Sequence, residues 1–124
     1  MRAGRYAEFE GVLCRAIGAT EPIRLVALAE PAPPGFAMDR RGRWTLLVGL
    51  DQLTRLFDVQ TTATWRGHSV RISSVDGGLA QFTYFGMGLP EAPGVHRVQS
   101  DEWQGTVPVD ELSDIVEVVD ELPR

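Results

Sequence analysis

Cysteine and histidine are almost missing from this chain: Cys14 is the only thiol, and His68 and His96 are the only imidazoles. A single thiol excludes an internal disulfide framework and fits a reducing cytoplasm, so a cytoplasmic location is expected. Neither histidine stands in a metal-ligand spacing with Cys14 or with the other, and no metal site is expected. No apolar run approaches the length of a membrane span. Met1-Arg2-Ala3-Gly4-Arg5 leads straight into patterned sequence without an apolar leader segment, so neither a membrane nor a signal peptide is expected. Lysine is wholly absent; all 12 basic residues are arginine, a matter of codon usage and not of function.

Catalytic signatures are equally scarce. Gly86-Met87-Gly88 is a lone Gly-x-Gly without a third glycine or a following helix, which reads as a flexible turn and not as a phosphate loop. No Gly-x-Ser-x-Gly and no His-Glu-x-x-His occurs. Cys14 falls on the apolar face of a strand pattern, where a thiol is an inert small hydrophobe. His68 follows a turn glycine and reads as solvated or capping. These absences make the expectation a binding protein with no catalytic residues, no cofactor and no metal.

What the chain does have is an internal repeat. Placing Tyr6–Gly11 over Thr62–Gly67, at an offset of 56, aligns Ala7 with Ala63, Phe9 with Trp65, Gly11 with Gly67 and Arg15 with Arg71. After a three-residue insertion the offset is 59, and Pro34, Gly35, Trp44, Val48, Asp51, Leu53 and Val59 fall on Pro93, Gly94, Trp103, Val107, Asp110, Leu112 and Val118. Seven identities over that stretch compare with roughly one or two from average residue usage. The sequence therefore predicts two copies of one small module, residues 1–60 and 61–124. Each copy is near the length at which a core of its own is marginal.

Within a copy the alternation predicts short strands. Cys14 and Ala16 match Val70 and Ile72, and Val26 and Leu28 match Phe82 and Tyr84 at period two. Trp44–Leu50 and Trp103–Val109 read as strands. Asp51–Phe57 and Asp110–Val116 read as short helices, with the aspartate as N-cap and Leu53 with Leu56, or Leu112 with Ile115, on one side. Asp58–Trp65 reads as a strand that closes the first copy and opens the second. The proline-rich stretches before each tryptophan read as loops.

Element order of this kind, with a tryptophan strand, a one-turn helix and a closing strand in about 57 residues, resembles an SH3-like barrel. The resemblance implies a mainly β fold of two tandem, duplicated SH3-like modules, each with one short helical turn before its last strand. The phrases RYAEFEG, ATWRGHSVRI, WTLLVGLDQLTRLFDVQ and WQGTVPVDELSDIVEVV also resemble small bacterial immunity proteins, which inhibit a cognate toxin by direct contact. That likeness implies a non-enzymatic toxin inhibitor; a general SH3-like protein or peptide interaction module is the alternative.

Charge separates the copies. Residues 1–60 hold eight arginines and seven acids, for a formal +1, and residues 61–124 hold four arginines and ten acids, for −6. A chain so charged is a poor partner for nucleic acid, whose phosphates need a basic surface. The acidic half would steer a basic protein instead. Phe85-Gly86-Met87-Gly88-Leu89 is unusually apolar for a loop, and Asp101-Glu102 replaces Gly42-Arg43 of the other copy. The expected partner surface is accordingly Phe85, Met87, Asp101, Glu102, Trp103, Glu111 and Asp114. Trp103 is there as a possible anchor, although its match to Trp44 also places it in the core.

Overall fold

The computed structural model describes residues 1–124. About 60% of them lie in strands and 5% in helical turns, so the fold is mainly β, as the alternation predicts. In chain order these are β1 (Gly4–Phe9), β2 (Val12–Ile17), β3 (Ile23–Ala27), β4 (Ala37–Met38), β5 (Trp44–Val48), a 3₁₀ turn at Leu50–Gln52, and β6 (Arg55–Trp65). There follow β7 (His68–Asp76), β8 (Leu79–Phe85), β9 (Val95–Gln99), β10 (Glu102–Pro108), a 3₁₀ turn at Val109–Glu111, and β11 (Leu112–Glu121). Pairing follows the path β4-β5-β3-β2-β1-β6-β7-β8-β10-β9, with β11 branching off β6. The path is antiparallel and does not close, so the barrel closure implied by the resemblance is absent from the strand pairing.

The hairpins follow from two-residue turns that need positive φ. Glu10-Gly11 (φ 51° and 77°) joins β1 to β2, and Arg66-Gly67 (45° and 82°) joins β6 to β7. Two left-handed residues match the twist of the flanking strands, and glycine takes the second position without a Cβ clash. Gly77-Gly78 (59° and 81°) does the same between β7 and β8.

The chain forms two compact units. One holds Arg5–Asp58 with Asp120–Arg124; the other holds Met1–Gly4 with Val59–Val119. They differ from the expected modules, 1–60 and 61–124, at both termini: the first four residues pack with the second half and the last five with the first. In the unit built on residues 5–58, Ala7, Phe9, Cys14, Ala16, Ile23, Leu25, Phe36, Val48, Leu53 and Leu56 form the core. In the unit built on residues 59–119 the core is Ala3, Ala63, Trp65, Val70, Ile72, Ala80, Phe82, Leu89, Val95, Trp103, Val107 and Leu112. The elements recur in one order, with β2 and β7 starting 56 residues apart, β5 and β10 58 apart and the two 3₁₀ turns 59 apart.

Three local expectations need correction. The core-facing residues of β3 are Ile23 and Leu25, not Val26 and Leu28, because Leu25 pairs with Ala16 just as Phe82 pairs with Ile72. The β3 match therefore lies at 57, one residue beyond the predicted 56, and a one-residue slip exchanges the two faces of a strand. The predicted helices are single 3₁₀ turns, and neither Asp51 nor Asp110 caps them; Gly49 and Pro108 hold the N-cap positions. The first turn is closed instead by Gln52, whose Oε1 accepts from the Gly49 N–H (2.8 Å), and by Glu21, whose Oε1 accepts from the Leu50 N–H (2.6 Å). Finally Ile115, expected beside Leu112 in a core, is exposed on β11.

Candidate partner-binding surface

Four of the expected residues come together at one end of the β8–β10 pair. Phe85 is the register partner of Glu102, and the Gly86 N–H donates to the Asp101 carbonyl at 2.8 Å. That bond clasps the loop after β8 to the turn before β10. Its shape requires glycine: Gly86 has φ 152° and a Cβ there would stand 2.8 Å from the Tyr84 Oη. The Gly-x-Gly of the sequence is thus a conformational requirement of this clasp. Phe85 is 65% exposed and Met87 82%, beside exposed Asp101 and half-buried Glu102. The Glu102 carboxylate accepts from Gln99 Nε2 at 3.4 Å, which holds it on the turn.

The other three expected residues do not join them. Trp103 follows Glu102 on β10, so its side chain takes the opposite face and lies in the core, only 8% exposed. Its indole Nε1 is buried there without an acceptor. Glu111 and Asp114 lie past the far end of β10, roughly 20 Å away at about 3.3 Å per residue. Glu111 Oε1 accepts from Trp65 Nε1 at 3.4 Å, which makes it a partner of the core. Asp114 sits exposed at the start of β11 with φ 50°.

Sequence reading missed two concave sites. His96 and Arg97, with Glu91, Ala92, Val95 and Trp103, line an open cavity of about 630 Å³. In the other unit Pro31, Pro33, Pro34, Phe36 and Trp44 line a groove of about 410 Å³ that Glu30 also borders. The proline run was legible as a loop, but not its folding against an aromatic pair. His68, expected to be solvated, is half-buried with its ring edge-on to Tyr84, centroids 5.5 Å apart.

Shifts in proton affinity arise at ion pairs in the unit of residues 5–58. The Arg5 guanidinium donates Nε and Nη2 to the two oxygens of Asp58 at 2.7 and 2.9 Å, and these bonds hold the Asp58 carboxyl below its usual range. Arg55 does the same to Glu121 across 2.5 to 3.0 Å. The Arg43 and Arg41 backbone N–H groups do so to Asp39. Burial pushes the Cys14 thiol up, which leaves it protonated and a poor nucleophile. Nowhere do three or more His, Cys, Asp or Glu side chains gather as a metal-binding group. No helix is long and apolar enough to cross a membrane. No protein-family model, curated protein or solved structure matches the chain.

Proposed function

We propose that this chain is a non-enzymatic binding protein built from two tandem, duplicated SH3-like modules, and that it acts in the cytoplasm as an immunity-type inhibitor of a basic bacterial toxin domain. The observation that carries the reading is the exposure of Phe85 and Met87 beside Asp101 and Glu102, in the half of the chain with a formal charge of −6. Large apolar side chains rimmed by charge are the composition of a protein contact surface. Carboxylates at a rim govern the association rate and its salt dependence, while a desolvated aromatic governs dissociation.

The test separates those roles. With a basic toxin domain that copurifies with the chain as partner, Phe85→Ala shortens the lifetime of the complex at any salt. Reversing Asp101 and Glu102 to arginine slows association at low salt, and the effect fades near 0.5 M, where screening acts over roughly 4 to 5 Å. Unchanged rates for both variants overturn this surface. The second reading, a general SH3-like module for peptides, rests on the groove of Pro31, Pro33, Pro34, Phe36 and Trp44, whose aromatic walls suit an extended peptide. It is favoured if binding maps there instead.

A further inference from the structure

Strand β11 is exposed along nearly its whole length. It pairs with β6 and with no other strand, so its second edge carries unpaired backbone donors and acceptors. After Leu112 every residue of the strand is exposed. Ile115 is 42% exposed, Val116 54% and Val118 53%, whereas the residues that precede them by 59, Leu56, Phe57 and Val59, are at most 3% exposed. At the head of the strand Asp114 is left-handed, with φ 50°, whereas Arg55 at the matching position is not.

We propose that the free edge of β11, over Ser113–Val119, is a docking edge for an extended protein segment in which basic and apolar residues alternate, added as a further strand. Natural edge strands are ordinarily blunted by charged side chains, lysine above all, by proline or by a bulge. The charges on this edge, Asp114 and Glu117, are acidic, so they disfavour an acidic strand and favour a basic one. Here no proline or basic residue interrupts the edge; between Arg97 and Arg124 the chain has eight acids and no base. Alternation gives the two faces different offers. Val116 and Val118 share one face, while Ile115 and Val119 share the other with Glu117, which is held by Arg2 at 3.5 Å. The incoming strand would gain backbone bonds along the edge and cover the valines, with its basic residues answering Asp114 and the acids around it. A second copy of this chain fits poorly, because antiparallel pairing of β11 with itself brings Asp114 and Glu117 toward an equally acidic strand. The inference stands on β11 alone and does not depend on the Phe85 surface.

The probe is an acetylated, amidated heptapeptide of sequence Arg-Val-Arg-Val-Arg-Val-Arg, added to the full chain and followed by amide NMR and hydrogen exchange. The expected result is slowed exchange at alternate amides within Ser113–Val119. Two controls should fail to bind: the peptide with glutamate for arginine, and the peptide N-methylated at alternate residues, which cannot complete the strand. In the protein, Val118→Arg should weaken binding tenfold or more while Val118→Thr keeps most of it; the site is exposed, so neither variant should change the circular dichroism spectrum. Undisturbed β11 amides at millimolar peptide, or equal binding of the N-methylated peptide, overturn the proposal. So does protection of the same amides by self-association without peptide.

Discussion

Two register pairs that the internal repeat aligns divide their volume differently in the two units. In one, Leu25 of β3 stands opposite Leu46 of β5; in the other, Phe82 of β8 stands opposite Gly105 of β10. A Cβ on Gly105 would lie 2.5 Å from Phe82 Cζ and 3.0 Å from Val95 Cγ2, so the phenyl ring already occupies that space. On the neighbouring strand the repeat aligns Cys14 and Ala16 of the first core with the larger Val70 and Ile72 of the second. Close packing tolerates such trades when the summed volume is kept, but not when one partner changes alone. The comparison thus separates what the shared backbone pattern requires, a filled layer, from what each unit chose to fill it with.

The sharpest way to break the comparison is to empty the aromatic side of it. Phe82→Ala should cost about 3 to 5 kcal/mol and Leu25→Ala about 2 to 5, read by urea unfolding, with Leu112→Ala in the same range as Leu25→Ala. A loss under about 1 kcal/mol at Phe82 would mean that the second core does not depend on that ring. Gly105→Ala should come next, at about 1 to 3 kcal/mol from overpacking. If the Leu25–Leu46 pair is the true counterpart, Phe82→Leu should then rescue part of the Gly105→Ala loss, with a coupling of about 0.5 to 3 kcal/mol in a double-mutant cycle. Additive losses would sever the equivalence.

Charge distinguishes the units as packing does. The unit of residues 5–58 binds several of its carboxylates to arginines, and Asp58 takes two hydrogen bonds from Arg5. Because the Asp58 carboxyl is held below its ordinary value chiefly by the hydrogen bonds from Arg5, the stability it contributes is present above the unfolded carboxylate value and is lost as pH falls through the lower folded one. Asp58→Asn should therefore cost about 1 kcal/mol at pH 7, a modest figure because the pair is partly exposed to solvent. The gap between variant and parent should close as the pH falls below about 4. A gap that persists undiminished at pH 2 would assign the loss to packing and not to the ion pair.

How much of this was legible in sequence depended on whether the signal was local. The two-residue turns Glu10-Gly11 and Arg66-Gly67 and the strand alternation are properties of adjacent residues, and they place the hairpins. Leu53 and Leu112 are buried as their spacing implied. The misjudged features depend on partners distant in sequence. Which face of β3 is buried is set by its pairing with β2, and the 3₁₀ turn at Leu50 is closed by Glu21, 29 residues earlier. In the candidate surface, Phe85, Met87, Asp101 and Glu102 could be proposed together because an acidic pair and an apolar loop are visible in composition. That Glu111 serves Trp65, and that Ile115 lies exposed on β11, required the fold.

The smallest expected effect concerns the two repeated tryptophans, which the units treat differently. Trp44 is half-buried and its Nε1 donates to Glu30 Oε1 at 3.1 Å, whereas Trp103 is buried and its Nε1 has no acceptor. A buried donor left without an acceptor loses its full solvation, a cost of about 1 to 3 kcal/mol, but one at a half-open position can turn to water. Glu30→Ala should therefore change stability by less than about 0.5 kcal/mol, because solvent replaces the lost carboxylate at Trp44. What should move is the Trp44 indole N–H resonance and the fluorescence of that ring, while the Trp103 indole signal stays where it was. A destabilisation above about 1 kcal/mol would show that Glu30 holds the proline groove in place, and the two tryptophan sites would then differ in architecture and not only in the partner of one nitrogen.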